Sequence, residues 1–176
     1  MFARRRKAAL VKKLLVLVAL AAVAAAWHLL GDAEARRVRR IFGRAEQALR
    51  KEGPEVPFAG LAKGRILAGL VADGGCRLEI PERSFAQALG GEDLPRQFAA
   101  FRMQSQTIRV AFEDLAVTFP GDGTAKASCD FFFSGDSDLL GFLGRDARAL
   151  DATLRKDPAS GDWKFVHVVL SPIVRR

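Results

Sequence analysis

The hydrophobic period of this chain changes once, near Gln104, and this change constrains its fold more than any other feature. Before Gln104, apolar residues recur every three or four positions, which is typical of amphipathic helices. After it they alternate with polar residues, as in Ile108, Val110 and Phe112, which is typical of strands with one buried face. Helices followed by a run of strands predict an α+β domain with the helices packed on one face of an antiparallel sheet.

The turn and breaker residues divide the chain further. The pattern predicts helices over 32–52 and 57–72, and a third that opens at Glu92 with Pro95 in its first turn. A short strand over 76–80 ends at Pro81, and Glu113-Asp114 marks a β-bulge. The remaining predicted strands are 108–119, 125–134, 146–156 and 163–174, with a Gly-broken connection over 137–144.

The N-terminus predicts a membrane segment. Residues 1–13 form a basic stretch, and Leu14–Leu30 is an apolar run without formal charge, about 25 Å long as a helix. The alternative is a cleaved signal peptide with its small-residue site at Ala24-Ala25-Ala26. We expect the uncleaved anchor, because the apolar run continues past that site through Trp27 to Leu30.

Charge on either side of this run predicts its orientation. The leading segment is purely basic, whereas Asp32 and Glu34 dilute the arginines that follow. We therefore expect a single-pass protein of the inner (cell) membrane. Residues 1–13 would lie in the cytoplasm and the domain over 31–176 outside it, in the periplasm if the host is Gram-negative. The arginines after the run are either the solvated face of the first helix or contacts to lipid headgroups.

Charge and composition also exclude some functions. The first 30 residues hold six of the 28 basic side chains, so residues 31–176 carry 22 basic and 20 acidic groups. A nearly neutral domain does not favour nucleic acid as a partner, because phosphate binding needs clustered cations. Two cysteines and two histidines at these spacings suggest no metal site, and the sequence suggests no cofactor.

The order of helix, helix, short strand, helix and long antiparallel strands resembles the nuclear transport factor 2-like superfamily, also called SnoaL-like or cystatin-like. The ending Gly161-Asp162-Trp163-Lys164-Phe165-Val166-His167, with Ser171 beyond it, is similar to the last strand of related domains. The resemblance covers residues 33–174. It implies a cone in which a curved sheet wraps against helices around an apolar pocket. Some members of the superfamily are isomerases, cyclases or dehydratases, and many are not catalytic.

Candidate site residues are few. Strand parity places His167 with Trp163 and Phe165 on one predicted face, where the histidine would reach a pocket. In an enzyme it would act as a general base oriented by Asp130 or Asp151; otherwise it is a strand histidine bonded to backbone or solvent. No further catalytic group is recognisable, so we expect no enzyme activity.

Phe132 points away from its neighbours Phe131 and Phe133, because consecutive strand residues alternate between faces. A sheet with apolar residues on both faces predicts pairing with a second copy through the sheet. Cys76 and Cys129 lie on predicted strands and form either a disulfide, as an exported domain permits, or two buried thiols.

Two functions follow from these features. The first is a membrane-anchored, non-catalytic binding or assembly module that holds a small apolar ligand or an envelope protein. Its tail, span and exported domain also resemble the inner-membrane assembly component of type IV secretion systems. The second is a SnoaL-like enzyme acting on a small apolar substrate with His167 as base.

Overall fold

A computed structural model of the chain describes residues 33–90, 92–139 and 142–173. The predicted basic segment, the membrane run and the first residue of the predicted helix over 32–52 lie outside these residues. The chain divides into two units, Met1–Arg37 and Val38–Arg176. The described part of the first unit is the start of a helix, in which Arg37 pairs with Glu34 at 3.0 Å. None of the helices within the described ranges has the length and apolar character needed to cross a bilayer.

Three α-helices come close to the predicted ones. Helix α1 spans 33–49, α2 spans Pro57–Leu70 and α3 spans Leu94–Gln104. Helix α1 is shorter than predicted because Lys51 leaves it to pair with the strand residue Ile108, through two backbone hydrogen bonds of 2.8 Å. Its buried stripe contains Val38, Ile41, Phe42, Ala45 and Ala48, as the period predicts.

The sheet has six strands in the order β2-β1-β6-β5-β4-β3. Their bounds are β1 Cys76–Ile80, β2 Phe85–Leu89, β3 Ile108–Gly121, β4 Thr124–Leu139, β5 Phe142–Lys156 and β6 Trp163–Pro172. The prediction of an antiparallel sheet was wrong at one boundary: β1 pairs in parallel with β6, and the other neighbours are antiparallel. The parallel pair arises because the chain crosses from β1 through α3 and the long hairpins before β6 returns beside it.

Two strand predictions also need correction. Strand β2 was missed because only Phe85 and Leu89 of its five residues are apolar and large, and it lies at the sheet edge with three exposed residues between them. The 137–144 segment was predicted as a connection, but β4 continues to Leu139 and β5 begins at Phe142. Glycines in this segment weaken the strand pattern without ending the ladder, and Gly135 still pairs with Gly144.

Phenylalanine rings fill the space between α1 and the sheet. The Phe42 ring of α1 lies edge-on to Phe112 of β3 at 5.3 Å and to Phe165 of β6 at 5.2 Å. Phe112 in turn lies 5.6 Å from Phe131 of β4. These rings therefore form an aromatic cluster that joins one helix to three strands of the core, and the edge-to-face contacts of Phe42 are favourable geometries for such rings.

Bulges shift the register of two long strands. In β3 the predicted bulge is confirmed: Glu113 pairs with Asp130, Ala116 pairs with Ser128, and Asp114 has a left-handed φ of 53°. In β6, Thr153 pairs with His167 but Leu154 pairs with Phe165, so Val166 is an extra residue. An extra residue reverses the alternation of side chains, so residues before and after Val166 no longer share the parity that the sequence predicts.

Helices α2 and α3 approach closely through glycine. A Cβ atom added to Gly64 would lie 2.7 Å from the Cα of Pro95, and one added to Gly60 would lie 3.4 Å from the Cα of Ala99. The glycines that weaken α2 as an isolated helix therefore allow its backbone to pack against α3. Gly69, the third glycine of α2, has no atom within 4 Å of such a Cβ.

Candidate functional site

The sheet has a helix-side face and an outer face. On the helix side lie the buried residues of each strand, including Leu78, Phe131, Leu154 and Leu170. Side chains of opposite parity form the outer face, including Glu79 of β1, Ser128 and Phe132 of β4, Asp151 of β5 and His167 of β6. The candidate residues of the sequence divide between these two faces.

The extra residue Val166 moves His167 to the outer face. Trp163 and Phe165 point to the helix side, where Trp163 is buried beside Phe119 and Phe165 contacts Phe42. The prediction that these aromatic residues share a face with His167 was therefore wrong. A bulge of one residue is not visible in the alternation of this strand, since Val166, Val168 and Val169 are apolar in both registers.

A carboxylate that the sequence did not indicate lies nearest to His167. Its Nε2 atom is 3.4 Å from Oε1 of Glu79, on the parallel neighbour β1, and does not form a hydrogen bond with it. Glu79 is also paired with Arg77 of the same strand. The contact could not be predicted because it depends on the parallel pairing of β1 with β6, which joins segments about 90 residues apart.

The two predicted aspartates also lie on the outer face. Asp151 pairs with Val169, two residues beyond His167 on β6, and the side chains of Asp151 and His167 line an outer groove of about 380 Å³ with Lys126 and Ser128. Asp130 lies one strand further away, in register with Ala149 and Glu113. The structure thus brings Asp151 and His167 into one groove and leaves Asp130 outside it. No group of three or more potential metal ligands occurs among the described residues.

Phe132 lies on the outer face, as its parity predicts. It is in register with Ala111 of β3 and Ala147 of β5, so small side chains stand on both sides of its ring. In the next row, Ser134 stands between Arg109 and Arg145. Together these residues line a second outer groove of about 510 Å³.

The two cysteines are free and buried. Strands β6 and β5 separate β1, which carries Cys76, from β4, which carries Cys129. Three strand spacings put them about 14 Å apart along the sheet, beyond the reach of a disulfide. Burial raises the pKa of Cys76 to about 11; burial and the nearby Asp130 and Asp151 raise that of Cys129 to about 12.

A buried polar cluster, which the sequence did not indicate, joins the ends of α1 and α3. The Arg102 side chain of α3 is 1% exposed and donates to the carbonyl oxygens of Ala48, Leu49 and Arg50 at 2.8 to 3.0 Å. In exchange, the Lys51 Nζ donates to the carbonyl oxygens of Arg102 and Ser105 at 2.6 and 2.5 Å. Arg102 of α3 thus places positive charge at the carbonyl oxygens that end α1, and Lys51 does the same at the end of α3.

Glu55 completes this cluster. Its carboxylate accepts hydrogen bonds from both Nη2 and Nε of Arg102, at 2.7 and 3.0 Å, and from Lys63 at 2.8 Å. Burial raises the pKa of Glu55, but the bonds and positive charges of Arg102 and Lys63 outweigh it and hold the pKa below its usual value. Arg102, Lys51 and Ser105 are the polar residues that are buried within the described ranges, and all of them serve this helix junction.

Comparison with known proteins identifies the fold. No protein-family model matches the sequence, and no curated protein matches it. Among solved structures, the chain is similar to a candidate dehydratase of the nuclear transport factor 2-like family from Streptomyces avermitilis, with 15% identity and a TM-score of 0.58, over 82% of this chain and 99% of that one. A cystatin-like-fold protein of the same group from Novosphingobium aromaticivorans has 19% identity and a TM-score of 0.56, over 88% and 90% of the two chains.

A third similar structure is a nuclear transport factor 2-like protein of unknown function from Pseudomonas aeruginosa. It shares 14% identity with a TM-score of 0.54, over 81% of this chain and 99% of that one. At these identities the likeness concerns the fold, and activity depends on the residues of each site. The chain therefore has the nuclear transport factor 2-like, cystatin-like fold, with helices packed on a curved mixed sheet.

Proposed function

We propose that this protein is a membrane-tethered, non-catalytic assembly module that binds a partner through the outer face of its sheet. The apolar run over 14–30 is the tether, and the domain acts outside the cytoplasm. The partner is an envelope protein or a second copy of the chain. We propose a protein partner and not a small apolar ligand, because side chains fill the space between α1 and the sheet.

The filled interior of the cone carries this proposal. Phe42, Phe112, Phe131 and Phe165 occupy the space between α1 and the sheet, where a ligand pocket was expected. A substrate entering this space would have to displace these rings. Phe42 and Phe131 are buried, and full burial of such a side chain contributes about 1.5–3 kcal/mol. The polar residues buried in the described ranges are engaged at the helix junction, and burial raises the pKa of the thiols of Cys76 and Cys129, so these interior groups are poorly suited to act as an acid or base near neutral pH.

The outer face supports a protein interface. Phe132 projects between Ala111 and Ala147, and a large ring among small side chains resembles the aromatic anchors of protein interfaces. The row of Arg109, Ser134 and Arg145 beside it provides polar edges. A partner that receives the Phe132 ring would cover this part of the sheet.

The enzyme alternative rests on one observation, the outer groove that holds His167 and Asp151. The Nε2 atom of His167 is buried without a hydrogen bond, as a base awaiting a proton donor would be. Against this, the groove is open on a sheet surface, and Glu79, the nearest carboxylate, is already paired with Arg77.

Two substitutions distinguish these functions. Phe132→Glu should lower self-association or partner capture at least about tenfold, because a charge would replace the buried anchor. Gln97→Glu, on an exposed position of α3 away from the sheet, is the control and should leave association unchanged. His167→Ala should also leave it unchanged, with the biological phenotype intact. Sedimentation velocity and a complementation assay measure both effects.

A phenotype lost in His167→Ala, with fold and association preserved, would support the enzyme and contradict the assembly module. The tether is tested separately by carbonate extraction and N-terminal sequencing. The chain should resist extraction and retain residues 1–26; a mature N-terminus after Ala26 would show a cleaved signal peptide instead.

A further inference from the structure

We propose that one surface of the domain, formed by α1 and α2, lies on the anionic headgroups of the membrane that holds the chain. This surface, here called the α1–α2 face, comprises Arg44 of α1 and Phe58, Ala62, Arg65 and Ile66 of α2. The inference rests on the proposed tether and deepens it, since it names the part of the domain that contacts lipid. It also leaves the outer face of the sheet directed away from the bilayer.

The apolar part of this face is unusually exposed. The side chains of Phe58 and Ile66 are 82% and 41% exposed, and Ala62 between them is exposed as well. Phe58, Ala62 and Ile66 follow one another at four-residue intervals on the side of α2 opposite Gly60 and Gly64. Helix α2 is thus apolar on its outward side as well as on the side that packs against α3.

Two other exposed apolar residues lie on the opposite side of α2. Gly60 lies against Ala99 and Gly64 against Pro95, so α2 and α3 run in opposite directions. Met103 is one turn beyond Ala99 and Val56 is one turn before Gly60, so both lie on the α3 side of α2. The apolar strip of the α1–α2 face is therefore formed by Phe58, Ala62 and Ile66.

Basic residues border this strip. Arg44 of α1 lines the same groove as Ile66, and Arg65 stands within the outward stripe of α2. Residues 38–72 carry seven basic and three acidic side chains. Lys51 is buried, and Arg50 and Lys63 are paired with Glu46 and Glu55, so Arg44 and Arg65 supply the positive charge beside the strip. An apolar stripe with a cationic border is the pattern of helices that lie in the headgroup region of an anionic bilayer.

The connectivity of the chain favours a bilayer over another occupant. The predicted tether ends at Leu30, three positions before the first described residue, so the connectivity of the sequence keeps the domain near the bilayer. Lys63 donates to the carbonyl oxygen of Arg50 at the end of α1, whereas Ile66 lines a groove with Arg44, more than one turn earlier. Helix α2 thus runs back along α1 from the end of α1 toward Arg44.

Cysteine accessibility in the full chain tests this placement. Phe58→Cys and, as the control, Ser128→Cys on the outer face of the sheet are placed in nanodiscs and treated with a membrane-impermeant maleimide. The discs contain either phosphatidylcholine alone or phosphatidylcholine with roughly 30% phosphatidylglycerol. The parent chain should label slowly in both, because Cys76 and Cys129 are buried.

We expect labelling of Phe58→Cys to be at least about tenfold slower in the anionic discs than in the neutral ones, with Ser128→Cys equally fast in both. Adding Arg44→Glu should restore fast labelling of Phe58→Cys in the anionic discs, because it reverses the charge at the border of the strip. Arg155→Glu, at an exposed arginine of β5, should leave the protection unchanged.

Three results would overturn the inference. If Phe58→Cys labels as fast as Ser128→Cys in anionic discs, the domain stands clear of the lipid. If protection is equal in both lipids and appears only with two chains in each disc, a second copy covers the strip. If protection survives Arg44→Glu, the basic border is not what holds the face to the lipid. A chain that separates from the discs under carbonate instead refutes the tether, and so the failure of the proposed function is distinguished from that of this inference.

Discussion

Replacing Arg102 by methionine is expected to destabilise the fold by roughly 3–5 kcal/mol. The substitution keeps a long side chain in place but removes the hydrogen bonds to three α1 carbonyl oxygens and to Glu55. These acceptors would remain at a junction where Arg102 is now fully enclosed. Urea unfolding of the full chain, followed by far-ultraviolet circular dichroism, measures the loss.

Two controls make this expectation specific. Arg96→Met, at an exposed position of the same helix, should change stability by less than about 0.5 kcal/mol. Arg102→Lys should recover only part of the loss, because an ammonium cannot reproduce the planar fork that joins Glu55 to the helix end. A full recovery by lysine would mean that charge alone holds the junction and that its geometry is unimportant.

The same cluster predicts a dependence on pH. The pKa of Glu55 is lower in the folded chain than its ordinary value of 4.5, so the unfolded chain binds the proton more readily. The stabilisation from Glu55 is therefore complete above about pH 4.5 and is lost as the pH falls through the folded pKa. In Arg102→Met this part of the acid sensitivity should shrink, which denaturation at a series of pH values would reveal.

A methyl group at Gly64 is expected to destabilise the domain by about 1–3 kcal/mol. The added Cβ would lie 2.7 Å from the Cα and 2.8 Å from the carbonyl oxygen of Pro95, and these backbone atoms cannot move aside as a flexible side chain can. Helices α2 and α3 would have to separate, and the hydrophobic contacts between them would loosen. The midpoint of thermal unfolding of Gly64→Ala measures the cost.

Gly69→Ala is the matched control on the same helix. No atom lies within 4 Å of a Cβ at this position, and alanine is the better helix former. Stability should therefore rise by about 0.5–1 kcal/mol. If Gly64→Ala were also stabilising, the close approach of α2 and α3 would be wrong. Opposite signs for two identical substitutions cannot come from helix propensity, which favours alanine at both positions.

The sequence was sufficient for features that depend on local alternation and turn chemistry. The change of period at Gln104 predicted helices before strands, and the acidic Glu113-Asp114 pair predicted the bulge that Asp114 forms. The outward direction of Phe132 followed from three consecutive phenylalanines, because a strand must send the middle one to the opposite face. The resemblance to the superfamily agrees with the solved structures that share the fold.

Features that depend on contacts between distant segments were decided only by the tertiary structure. The parallel pairing of β1 with β6 brings Glu79 to His167, and the extra residue Val166 turns that histidine away from Trp163 and Phe165. The parallel pairing and the extra residue cannot be predicted from the apolar pattern of β6, since its valines fit both registers. The burial of the Arg102 side chain could not be predicted from the sequence either. Its burial depends on the end of a helix more than 50 residues away, whose carbonyl groups no property of its own helix can reveal.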